Sequence, residues 1–185
     1  MSTEGPAREF SQPEPSYLQP SDELLLGQTA HPPTPLNMML PTKSISDGLM
    51  EQYFRAVHPI ARCVHRPSFE AQYRAFWDGV ISNFEPRPST QAVIFAAMFS
   101  AAVSLGDEAA MQRFGFNRET LINNLKAGVE SALCKASFLR STRVETLQAL
   151  VMYLVCFRQI LLKASFVLTY LSSVLIIRFN ADTPL

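Results

Sequence analysis

Apolar residues recur at helical spacing from residue 44 onward, after a stretch that shows no period at all. Ile45, Leu49, Tyr53, Phe54 and Val57 fall on one face between Ser44 and Val57, which predicts an amphipathic helix. Its end is expected near His58, because Pro59 disfavours the α region for the residue before it. A second helix is expected after "HRP", with Ser68 placed to cap it and Phe69, Tyr73, Phe76, Trp77 and Val80 repeating along one side. "NFEPRPS" breaks the chain. Ser89 or Thr90 would then cap "QAVIFAAMFSAAVSL", which is apolar all round and so belongs in the middle of a core, with Gly106 ending it.

"GDEAAMQRFG" suits a short turn of helix between glycines. Asn117 is placed to cap "RETLINNLKAGVESALCKA", whose stripe is Leu121, Ile122, Leu125, Val129 and Leu133. A further helix opens on Thr142 and Glu145, the spacing of a capping box, and runs through "LQALVMYLVCF". No alternating run is bounded by hairpin turn signals. An all-α domain of antiparallel helices follows.

Residues 1–41 hold eight of the thirteen prolines, which remove donors and fix φ, so a disordered or extended linker is expected there. Within it, "DELLL" reads as a loose apolar spot that could fold on a partner. Residues 42–157 make the helical domain, and residues 158–185 form an apolar C-terminal segment. In that segment Ala164 to Ile177 invites a membrane reading. Its fourteen residues would span about 21 Å as a helix, against a hydrocarbon core of about 30 Å. Extending it back to Val151 adds Arg158 and Lys163, each costing on the order of 2.5–3.5 kcal/mol near a helix centre. No membrane span is expected.

The 185 residues are 48% hydrophobic and 17% charged, enough apolar material for one core and a modest charged shell. Sixteen basic and sixteen acidic side chains cancel, so no overall field draws the chain to nucleic acid or anionic lipid. Cys63, Cys134 and Cys156 are too scattered for a disulfide framework, suit a reducing compartment and read as buried thiols. "MSTEGPAREF" lacks the basic and apolar runs of a secretory signal.

The polar stretch "YFRAVHPIARCVHRPSF" is where chemistry would reside. His58, Cys63 and His65 are possible zinc ligands, but a structural site wants four, and His31 lies in the linker. Cys63 with His65 could make a nucleophile and base, yet nothing nearby supplies an oxyanion hole. No phosphate loop, paired carboxylates or dinucleotide fingerprint occurs. No catalytic, cofactor-binding or metal-binding residue is therefore assigned, and no cofactor is expected. Arg55, Arg62, Arg66 and Arg74 read as a solvated helix face that could meet carboxylates or a phosphate. The stretch itself reads as a corner between helices whose polar side chains satisfy free backbone groups.

"SDGLMEQYFRAVHPIARCVHRPSFEAQYRAFW" resembles the opening of the middle homology region of fungal binuclear zinc-cluster transcription factors. Tyr53, Phe54, His58, Pro59, His65, Arg66, Pro67, Ser68 and Phe69 match that family's pattern. "STRVETLQALVMYLVCF" resembles a later helix of the same region through Leu147, Gln148, Ala149 and Leu150. The resemblance covers roughly Ser44 to Phe157 and implies the first part of a regulatory domain acting in the nucleus. It implies protein partners or self-association, with DNA reached only indirectly, since the family's zinc module needs six cysteines and this chain has three. The family's later helices are replaced by "YLSSVLIIRFNADTPL", as in a truncated product. The competing readings are a membrane-associated protein anchored by its C-terminal segment and a small cysteine-dependent enzyme.

Overall fold

The computed structural model describes residues 39–156; most of the expected linker and all of segment 158–185 lie outside the described residues. Helix α1, Lys43–Gln52, runs without a break into a π-helical turn, Tyr53–Val57. Then come α2 (Arg66–Ile81), α3 (Pro88–Ser104), α4 (Asp107–Phe114) and α5 (Arg118–Lys135). A last helix, α6, covers residues 144–156. Among the described residues there is no strand, so the fold is all-α as the periodicity requires.

The organising element is α3. Every residue from Ala92 to Val103 is buried, because a helix without a polar face has no side to give to water. It packs most extensively on α5, and also on α1 with its π turn and on α2. Phe95, Phe99, Ile94 and Met98 are fully buried, each contributing about 1.5–3 kcal/mol relative to exposure. The close approach of α5 depends on Gly128, where an added Cβ would sit 2.6 Å from the Phe95 ring.

The predicted stripes face inward. Leu49 of α1 and Tyr53 of the π turn are wholly buried, with Ile45, Phe54 and Val57 packed at the margin. Phe69, Phe76 and Trp77 anchor α2, and the α5 stripe from Leu121 to Leu133 is buried throughout. From α6, Ala149, Met152, Tyr153 and Cys156 complete the core, with the Tyr153 ring 5.8 Å from that of Phe99. Met39 and Leu40 already pack against this core ahead of α1.

Several helix ends differ from expectation. α2 starts at Arg66 with Pro67 in its first turn, so Ser68 lies inside the helix instead of capping it. α3 likewise starts at Pro88, one residue before Ser89, since a proline loses nothing at a position whose N–H has no helical partner. Gly106 does not end α3. Leu105 turns extended there, and the Arg118 guanidinium takes the Leu105 and Val103 carbonyls at 2.7 and 3.0 Å.

At α6 the start is held by Ser141 in place of the expected Thr142 and Glu145 pair. The Ser141 Oγ accepts from the Arg143 N–H at 3.4 Å and bonds the Thr146 hydroxyl at 3.1 Å. Two expectations hold as stated. Asn117 caps α5 by accepting from the Glu119 N–H at 3.1 Å, and α4 lies between two glycines, of which Gly115 takes the left-handed φ of 71°.

Candidate functional site

The corner from Tyr53 to Phe69 begins where α1 widens. The His58 N–H bonds the Tyr53 carbonyl at 2.9 Å, five residues back, which inserts one extra residue into the last turn. His58 itself remains helical at φ −58°, ψ −35° despite preceding Pro59, so the helix stops because Pro59 offers no N–H, and not because His58 leaves the α region. The Ile60 and Ala61 N–H groups then fold back on the Val57 carbonyl at 3.0 and 2.9 Å.

The widened turn gathers rings. Tyr53 lies 5.3 Å from Phe54 and 6.1 Å from Phe69, and the His58 ring sits 5.4 Å from Phe54 and 6.0 Å from Tyr53. The Arg66 guanidinium covers the Phe54 ring at 4.7 Å while its Nε donates to Glu70 at 2.7 Å. Edge-on ring pairs of this kind add about 0.5–1.5 kcal/mol each beyond area burial. These contacts clamp the start of α2 onto the end of α1.

The histidines behave differently from the polar corner expected of them. Backbone groups satisfy one another here, so His58 serves as an aromatic body, and its buried Nδ1 has no hydrogen-bond partner among the described residues. His65 is exposed, and its Nδ1 pairs with the Ser68 hydroxyl at 2.9 Å. Cys63 is half-buried, and burial pushes its thiol up from the ordinary value, which disfavours the nucleophilic thiolate. Among the described residues no group of three or more His, Cys, Asp or Glu side chains could hold a metal ion. Of the three cysteines read as buried, only Cys156 is; Cys63 and Cys134 are half-buried at a corner and at a helix end. Arg55, Arg62, Arg66 and Arg74 are all exposed, as a solvated face requires.

Buried polar pairs were not predicted from the sequence. The Tyr153 hydroxyl donates to Glu130 at 2.5 Å inside the α5–α6 contact, and Lys126 lies 3.7 Å from the same carboxylate. Ser100, within the apolar α3, donates to the Ala96 carbonyl and accepts from the Cys156 thiol at 3.3 Å. Gln91 is fully buried and donates to the Pro86 carbonyl at 2.6 Å. The usable signal was a lone serine or glutamine in an otherwise apolar helix, which demands a partner.

The sequence that forms this all-α domain and its packed helix corner is similar to those of proteins named as transcription factors. The aurofusarin cluster transcription factor aurR2 of Gibberella zeae is 34% identical over 141 residues, covering 76% of this chain and 21% of that protein. The pyriculol/pyriculariol biosynthesis cluster transcription factor 1 of Pyricularia oryzae is 29% identical over 75% of this chain and 19% of its own length. The C6 finger domain transcription factor nscR of Arthroderma gypseum is 32% identical over 63% of this chain and 16% of its own. The chain therefore shares most of its length with fungal C6 zinc-cluster transcription factors, as its two motifs imply, and the match is consistent with a regulatory region of such factors. It spans about a fifth of the length of the curated relatives it matches. No protein-family model matches the chain, and no solved structure matches it.

Proposed function

We propose that this chain regulates transcription in the nucleus as part of the regulatory region of a fungal zinc-cluster factor, without catalysis of its own. The observation that carries this reading is the match to proteins named as transcription factors across three quarters of the chain. The corner is compatible with it, since His58 packs as a ring against Tyr53 and Phe54 and burial disfavours the Cys63 thiolate. Residues 1–41 act as the linker, 42–157 as the partial regulatory domain and 158–185 as a segment departing from the family pattern. DNA is reached through a zinc module carried elsewhere.

A protein-contact role is favoured by α6. Opposite its buried face, Val144, Leu147, Val151, Leu154 and Val155 are each about half exposed or more, a contiguous apolar stripe of the kind that marks an interaction surface. No helix among the described residues is long and apolar enough to cross a membrane, so they give the anchored alternative no support.

The full chain fused to a heterologous DNA-binding module, beside a reporter in fungal cells, tests the proposal. Reporter output should change relative to the module alone, with the fusion in the nucleus. Unchanged output from a stable nuclear fusion would contradict it.

A further inference from the structure

Arg74 takes no part in the corner or in the regulatory reading. It stands on the rim of an open groove between α1 and α2 with a volume of about 410 Å³, within the range of roughly 300–1,000 Å³ common for small-molecule sites. Met50, Phe54, Phe69 and Tyr73 line its floor. The Phe54 and Phe69 rings meet edge to face there, with centroids 6.0 Å apart at 73°.

The charges on the rim decide what the groove can take. Asp47 accepts from Lys43 and from the Tyr73 hydroxyl, each at 2.7 Å. Burial alone would raise its pKa, but those two bonds and the Lys43 charge hold the carboxyl below its ordinary value. Glu51 accepts from Arg113 at 3.1 Å and Glu70 from Arg66 at 2.7 Å. Arg74 is different. It is exposed, donates only to the Glu70 backbone carbonyl at 3.3 Å, and among the described residues has no carboxylate within ion-pair distance. Among the described residues every rim carboxylate is thus matched, and the Arg74 guanidinium has no carboxylate partner beside an aromatic floor.

We propose that this groove binds a small aromatic carboxylate, its ring against the half-buried Phe54 and Tyr73 side chains and its carboxyl group on Arg74. A cationic ligand would have to displace existing ion pairs. A neutral one would leave the guanidinium unused, whereas a carboxylate gains a paired, charge-assisted contact. The inference goes beyond the regulatory reading and stands or falls separately from it.

The test is a titration of the full chain with 2-naphthoate, followed through the methyl resonance of Met50, with 2-naphthalenemethanol and 2-naphthylmethylammonium as comparators. Naphthoate should shift the Met50 resonance saturably and bind more tightly than either comparator. Arg74→Ala, on an exposed position, should weaken it by about two- to fivefold, the contribution of a solvent-exposed ion pair. Arg74→Lys should restore part of the loss, and Arg143→Ala, away from the groove, should change nothing. The proposal is overturned if the Met50 resonance does not respond, if the alcohol or the amine binds as tightly, or if Arg74→Ala binds like the parent.

Discussion

The Tyr53 hydroxyl donates to the Met152 sulfur at 3.5 Å across 99 positions of sequence, joining the π turn after α1 to the last described helix. Both side chains are buried, so the corner is tied to the core by the same residue that organises its rings. Removing only the hydroxyl in Tyr53→Phe should cost about 0.5–1.5 kcal/mol, the range for an ordinary hydrogen bond. Tyr53→Ala should cost roughly 3–5 kcal/mol, because it also leaves a cavity under Phe54, His58 and Phe69. Urea unfolding followed by circular dichroism measures both. Equal losses would mean that the ring does not hold the corner.

Alkaline solution should destabilise the fold through its tyrosines. Burial pushes Tyr53, Tyr73 and Tyr153 up from the ordinary value of 10.0, with Asp47 adding to the effect at Tyr73 and Glu130 at Tyr153. The unfolded chain releases these protons near pH 10 while the folded chain retains them, so the folded state binds more protons and stability falls as pH rises beyond that point. Below it the contribution is fully present. Absorbance of tyrosinate at 295 nm should show these three groups ionising only with unfolding; early titration at the ordinary value would place them in water.

Gly128→Ala and Gly48→Ala separate helix propensity from packing. Alanine favours a helix by about 1 kcal/mol over glycine at either position. At 128 the new Cβ meets the Phe95 ring at 2.6 Å, and Phe95 is fully buried with no room to retreat. Overpacking there should cost about 1–3 kcal/mol, which offsets or exceeds that gain. At 48 the neighbour is the half-buried Phe114 edge at 2.9 Å, which can swing outward. Thermal melts should rank Gly128→Ala well below Gly48→Ala, and the reverse order would refute the close α3–α5 contact.

The exposed stripe on α6 should drive association of the full chain. Leu147→Glu with Leu154→Glu alters only outward positions that are about half exposed, so the fold should survive. Sedimentation velocity should show the parent in larger species and the double variant shifted toward monomer. A parent chain that sediments as a monomer would remove the stripe from any role in self-contact.

Periodicity carried most of the fold, because burial selects apolar side chains at 3.6-residue spacing and leaves that mark in the sequence. The central place of α3 and the inward faces of α1, α2 and α5 were legible for this reason. Helix starts at Pro88 and Arg66 were displaced by prolines that outcompete serine caps, and the end of α3 depends on Arg118, thirteen residues beyond Leu105. The π turn left no signal, since one extra residue in a turn changes no residue type. At the corner, the mixture of His58, Cys63, His65 and Arg66 indicated a joint, but their separate uses as ring, half-buried thiol, serine partner and cation over Phe54 come from packing that only three dimensions define.

The geometry makes the Tyr53–Phe69 stretch a joint between helices, and among the described residues it gathers no group of three potential metal ligands. Zinc content of the full chain, purified in the presence of zinc and then dialysed, tests it most directly. The corner geometry predicts no stoichiometric metal and an unchanged value in Cys63→Ser. One zinc per chain, lost on substituting His58 by alanine or Cys63 by serine, would contradict it.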